Sequence, residues 1–113
     1  MKYMVLFTRA DWEDGAPEDE RQQHYAEIGE WWGRLASQGK IVEGHQLQPA
    51  QTSTTVVLDH GQSTIIDGPF MEAKETIGGY GIFEVADLDE ALALVRSFPS
   101  PTGKAEVRPV VQR

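Results

Sequence analysis

Residues 2–8, Lys-Tyr-Met-Val-Leu-Phe-Thr, carry apolar side chains on both alternating sets of a strand, Tyr3, Val5 and Phe7 on one and Met4 and Leu6 on the other. Successive strand residues point to opposite faces of a sheet. A strand that is apolar on both faces belongs in the middle of its sheet, with something packed on each side. The rest of the chain therefore has to cover two faces, and this narrows the fold more than any other stretch does.

The strongest helix signal follows. Pro17 suits the opening of a helix, and Glu18, Asp19 and Glu20 favour the positive end of its dipole. At about 100° per residue, Tyr25, Ile28, Trp31, Trp32 and Leu35 share one arc, and Gly39 suits a left-handed stop after Gln38. Residues 11–17 before it, with Trp12 among turn formers, read as a loop. Residues 41–47 read as a strand. Thr54–Leu58 and Ser63–Ile66 read as the arms of a hairpin turning at Asp59-His60-Gly61-Gln62. A polar segment from Glu72 to Thr76 suits one helical turn, and Tyr80–Val85 is a further strand. Asp87 with Glu90 three residues on has the form of a capping box, opening a helix with Leu88, Ala91, Leu92 and Val95 as its apolar face, extended by Phe98. Residues 105–110 close the chain as an edge strand, since Pro109 cannot donate to a ladder.

With the hairpin set aside, the order is that of an α+β, ferredoxin-like βαββαβ domain spanning residues 1–113. A length of 113 residues fits one core. Two helices cover one face of a four-stranded sheet. The expectation is that the inserted hairpin supplies part of the second cover and that a second copy supplies the rest. The result is a homodimer packed sheet to sheet, a dimeric α/β barrel.

Composition excludes several functions. Ten Lys plus Arg against eighteen Asp plus Glu leave a net charge of −8, which opposes encounter with nucleic acid or an anionic membrane. The absence of cysteine removes disulfides, thiolate nucleophiles and zinc–cysteine sites. No apolar run approaches the roughly 20 residues of a membrane span, and the opening Met4–Phe7 is too short for a signal sequence. The default location is the cytoplasm.

Two positions stand out as carriers of chemistry. His24 falls within the arc of Ile28, Trp31 and Leu35, facing the sheet. One reading, the commoner for such a position, is a core-edge histidine satisfied by a backbone carbonyl. The other is a general acid or base at the mouth of a cavity, a role suited to a side chain with an ordinary pKa of about 6.5. Asp67-Gly68-Pro69-Phe70 is a turn by composition, with Phe70 anchoring the loop. It also puts a carboxylate at a strand end, where Asp67 could orient a histidine or bind a substrate hydroxyl. Glu72, Lys74 and Glu75 offer charge beside it, or a solvated turn. His45, Glu43, His24 and Asp67 lack metal-ligand spacing, so no metal is expected. Gly78-Gly79 precedes a strand rather than a helix, which argues against a phosphate loop, and no cofactor motif is present.

The opening Met1–Phe7, residues Gly44 to Pro49, Thr64–Phe70 with Glu72, Lys74 and Glu75, Gly78-Gly79-Tyr80 and Glu106–Pro109 occur in that order. Together they resemble the YCII-related family, in the branch named for its Asp-Gly-Pro-Phe motif. The resemblance implies a dimeric α/β barrel of ferredoxin-like subunits. It also implies kinship with small cofactor-free enzymes, including a dehydrochlorinase of chlorinated aromatic diols and triols, and with muconolactone isomerase-like folds. In the simpler members a first-helix histidine pairs with an aspartate after the second helix. His24 matches the histidine, but the second region reads Ser97-Phe98-Pro99-Ser100, without an aspartate. Asp67 is the candidate replacement. Many members of the branch are encoded near extracytoplasmic-function sigma factors.

Two functions follow as expectations. One is a cofactor-independent lyase or isomerase of small aromatic or lactone-like molecules, with His24 moving a proton and Asp67 orienting it. Trp12, Trp31, Phe70 and Lys74 would then form the substrate pocket. The other is a non-catalytic small-ligand-binding or regulatory module, linked to a sigma factor. The fold alone does not choose between them.

Overall fold

A computed structural model describes residues 1–70 and 76–113. Its elements are β1 (Lys2–Thr8), α1 (Asp11–Gly15), α2 (Glu18–Ser37), β2 (Ile41–Gln46), a short 3-10 turn (Ala50–Thr52), β3 (Thr54–Asp59), β4 (Gln62–Asp67), β5 (Ile77–Glu84), α3 (Leu88–Arg96) and β6 (Ala105–Pro109). Four strands form one antiparallel sheet in the order β2-β5-β1-β6, the α+β arrangement read from the sequence. β1 is central, as its two apolar faces require, and β6 with Pro109 lies at an edge. The helical turn expected from Glu72 lies, apart from Thr76, outside the described residues.

The helices pack on one face only. Tyr3, Val5, Phe7 and Phe83 meet Trp31 and Leu35 of α2 and Ala91 of α3 in one core. Trp31 is its centre: Phe98 lies 5.1 Å away centroid to centroid, Phe83 6.2 Å and Phe7 6.4 Å. The Trp31 indole N–H, cut off from water, donates to Ser97 Oγ at 2.8 Å. α3 opens as its sequence directs, with the Asp87 carboxylate accepting from Glu90 N and Glu90 accepting from Ala86 N. Its buried face differs from expectation. Ala91, Leu94, Val95 and Phe98 pack inward, while Leu88 and Leu92 are exposed. A nine-residue helix spans only two and a half turns, so a small rotation about its axis decides which leucines are covered.

The opposite face of the sheet carries Met4, Leu6 and Ile82, only half-buried in the single chain. The hairpin does not lie over it. β3 and β4 pair only with each other, as a separate two-stranded sheet, turning at His60 (φ 47°) and Gly61 (φ 86°). Both turn residues are left-handed, as a two-residue type I′ turn demands. Val56, Leu58, Ile65 and Ile66 are exposed along this arm. The radius of gyration, 16.0 Å, exceeds the ~13 Å of a compact chain of this length, and the projecting arm accounts for the excess.

Candidate functional site

A cleft of about 1140 Å³ opens between α2 and the helix-facing side of the sheet, and continues past Phe98 to the segment before β6. Its floor is bare because β2 and β5 put glycines there. Gly44 stands opposite Gly81, and Gly79 opposite Gln46. The ring of Trp32 lies on the first pair: a Cβ at Gly44 would sit 2.2 Å from Trp32 Cζ2 and 2.5 Å from the Tyr80 carbonyl oxygen. Phe7, Trp12, Ile28 and Trp32 supply apolar walls, while Glu13 and Tyr25 supply polar ones. An apolar cavity with a few convergent polar groups is the usual make-up of a small-molecule site.

Residues 11–15, read from sequence as a loop, form α1 instead. The Glu13 side chain turns back to accept from Ala10 N at 2.6 Å, and Glu13 N donates to Ala10 O at 3.0 Å. This is the acidic half of a capping box, without a hydroxyl or carboxylate at the cap itself. The helix persists because its side chains are buried. Trp12 donates from Nε1 to Ser100 Oγ at 3.0 Å and packs its ring 5.0 Å from Tyr25 and 4.7 Å from His24. Glu13, 9% exposed, is the one buried charged residue among those described, and its Oε1 accepts from the Tyr25 hydroxyl at 3.2 Å. Burial, reinforced by the Glu13 charge, pushes the Tyr25 phenol above its ordinary range. Neither Glu13 nor Tyr25 is identifiable as a site residue from sequence. The available signal is a glutamate three positions after the start of a helix too short to notice.

His24 lies on the inward arc of α2, with its side chain 19% exposed. Nε2 is 3.7 Å from Glu20 Oε1, and the ring rests on Trp12. Nδ1 is buried and has no hydrogen-bond partner among the described residues. None of them supplies the backbone carbonyl expected of a satisfied core-edge histidine. With the proton on Nε2, facing Glu20, Nδ1 is a bare acceptor directed into the protein.

The other expected site residues are scattered. Trp12 lines the cleft. Trp31, 2% exposed, belongs to the core and not to the cleft; its neighbour Trp32 takes that place because the two residues lie about 100° apart on α2. Asp67 is the last residue of β4, exposed and paired through its backbone register with Thr54. No hydrogen bond or ion pair joins it to His24 among the described residues. Phe70 is 80% exposed and anchors no loop among the described residues. Lys74 lies outside the described residues. Among those described, no group of three His, Asp or Glu side chains gathers as a metal site, and no helix is long and apolar enough to cross a membrane.

An uncharacterized protein of Rhizobium meliloti (strain 1021) is 38% identical over 84 residues, which cover 66% of this chain and 68% of that one. The family model of the YCII-related domain matches residues 1–112. With that match running along almost its full length, the chain belongs to the YCII-related family.

Proposed function

We propose that the chain is a cofactor-independent lyase or isomerase of small aromatic or lactone-like molecules, bound in the cleft between α2 and the sheet, with His24 moving the proton. The observation that carries this reading is the buried Nδ1, unpartnered among the described residues, on a ring that does not itself line the cleft but packs against Trp12, a wall of it. A buried acceptor left without a donor costs about 1–3 kcal/mol, and such groups concentrate where chemistry needs them. Asp67 is assigned to orient the imidazole or to contact the substrate. The half-buried Met4, Leu6 and Ile82 and the exposed apolar arm support a homodimer, because a second copy carries apolar surfaces able to cover them. In that assembly the root of the arm, where Asp67 sits, becomes part of an enclosed interior.

The test is His24→Gln, which keeps a hydrogen-bonding side chain of similar reach but cannot cycle a proton near neutral pH. Lactones and hydroxylated aromatics are screened by ultraviolet absorbance, and the variant is compared on any substrate the wild type turns over. Turnover should be lost with the melting temperature nearly unchanged; full activity in the variant overturns the assignment. Light scattering after gel filtration should give twice the 12.6 kDa chain mass. The second reading, a ligand-binding regulatory module tied to a sigma factor, draws on the missing His24–Asp67 contact and on the acidic surface. Recovery of the homodimer alone after tagged expression under mild conditions counts against a stable protein partner.

A further inference from the structure

The polar end of the cleft has a direction built into it. Glu13 Oε2 is held by Ala10 N, and Glu13 Oε1 takes the Tyr25 proton. An ionised carboxylate only accepts, so the phenolic proton is committed to Glu13. The Gln46 side chain also hydrogen-bonds Tyr25, and what Tyr25 then offers to the cleft is the remaining lone pair of its oxygen. Arg9, whose charge is felt at Tyr25, does not change this. It is held bidentately by Asp14, Nε at 3.1 Å from Oδ2 and Nη2 at 3.0 Å from Oδ1. Arg21, one turn before Tyr25 on α2, does not line the cleft. Arg96 and Lys104 also line the cleft, and the Lys104 backbone carbonyl accepts from Thr8 N at 3.0 Å. Beside Tyr25 the wall has Gly29 on α2, where a Cβ would meet nothing within 4 Å, and Gly79, where a Cβ would lie 3.2 Å from the His45 carbonyl oxygen. This leaves a slot suited to a flat molecule.

We propose that Tyr25, with its proton held by Glu13, is the specificity-determining group of the cleft and selects planar ligands that present a neutral hydroxyl donor over those that present only an acceptor. The inference rests on the cleft being the binding site, but not on His24 being catalytic. A site built to hydrogen-bond a hydroxyl discriminates strongly against the analogue that lacks it, because its own polar groups are then left unpaired.

Phenol and anisole, in which a methyl group replaces the hydroxyl proton, serve as the donor and acceptor-only probes. Each is titrated into the full-length protein while the indole signals of Trp12 and Trp32 and the amide of Gly79 are followed by NMR. Phenol should shift them saturably and bind roughly tenfold more tightly than anisole, the worth of about one hydrogen bond. Tyr25→Phe should bind the two alike. Glu13→Gln gives the sharper result. Its amide oxygen keeps the Ala10 N–H, so its NH2 faces Tyr25 and donates to the phenol oxygen. The Tyr25 proton is then released toward the cleft, and the preference should reverse toward anisole. A purely structural role for Glu13 would weaken both ligands together and leave their ratio unchanged. An unchanged ratio in Glu13→Gln, equal binding of phenol and anisole by the wild type, or no saturable shift overturns the proposal. His24→Gln should keep the phenol preference, so loss of turnover in that variant is read separately from the ligand ratio.

Discussion

The contact between Trp32 and the glycine floor makes a prediction with opposite signs at neighbouring glycines. An alanine at 44 would put its methyl 2.2 Å from Trp32 Cζ2 and 2.5 Å from the Tyr80 carbonyl oxygen, and one at 81 would meet Trp32 Cη2 at 2.8 Å and Phe83 Cε1 at 3.0 Å. The indole could swing away, but the Tyr80 carbonyl belongs to β5, which is paired on both sides, and cannot. Overpacking of this kind costs about 1–3 kcal/mol, and a clash with fixed backbone places Gly44→Ala at the upper end. An unfolding entropy of about 2.1 cal/mol/K per residue over this chain gives roughly 0.24 kcal/mol/K, so each kcal/mol moves the melting temperature by about 4 °C. Gly44→Ala should therefore melt about 8–12 °C below the wild type, and Gly81→Ala about half as far below. Gly29 and Gly33 lie inside α2, where an added methyl would meet nothing within 4 Å. Alanine is better than glycine in a helix by about 0.5–1 kcal/mol, so each of these should raise the midpoint by about 2–4 °C. Melts followed by circular dichroism at fixed protein concentration decide the matter. A Gly44→Ala midpoint within about 1 °C of wild type, small beside the shift worked from the overpacking cost, would refute the close approach. A Gly29→Ala midpoint below wild type would refute the open one.

Two further outcomes follow from single hydrogen bonds. Ser97→Ala removes the acceptor of the Trp31 indole N–H, and an unpaired buried donor costs about 1–3 kcal/mol. The midpoint should fall by several degrees and the Trp31 indole proton should exchange faster with solvent; exchange at the wild-type rate would show that the bond does not protect it. Tyr25, raised above its ordinary range first by burial and then by Glu13, is neutral in both folded and unfolded chains below about pH 9. As pH passes about 10 the unfolded chain releases this proton first, so the folded state holds more protons and stability falls with rising pH. Tyr80, raised mainly by its hydrogen bond to Glu43, contributes in the same sense. Urea unfolding between about pH 8 and 11, a range bracketing the ordinary phenol value, should show the decline, and Tyr25→Phe should make it shallower. An identical slope in that variant would mean that Tyr25 does not carry it.

The elements that can be read from sequence are those whose burial is periodic. Trp31 and Leu35 are buried, and Tyr25, Ile28 and Trp32 half-buried or partly exposed beside them, because one arc of α2 faces the sheet. β1 is central because neither alternating set of its side chains is polar. The hairpin is legible as strands and turn, since its pairing is local and His60-Gly61 specifies the reversal. Where the arm points is not legible. The arm pairs with no strand of the main sheet, and no short-range pattern encodes its direction.

The candidate site shows the same limit more sharply. Five residues with a glycine at the end and three acids in the first turn make a poor isolated helix, shorter than the roughly 12 residues at which helices become marginal in water. α1 exists because Trp12 finds Ser100, 88 positions away, and Tyr25 and His24 on α2. Only after that docking is Glu13 carried into the interior, where it must be satisfied by Ala10 and Tyr25. Helix and polar pair are thus products of one tertiary contact: Trp12→Ala should release α1 and, with it, the Glu13 carboxylate that fixes the direction of the Tyr25 proton. Far-ultraviolet circular dichroism and the phenol-to-anisole binding ratio of that variant check the two halves of the claim. His24 is visible in advance because the period of α2 aims it inward whatever α1 does. Asp67 suits it as a partner by chemistry alone, and chemistry does not bring the end of a projecting strand to the face of a helix.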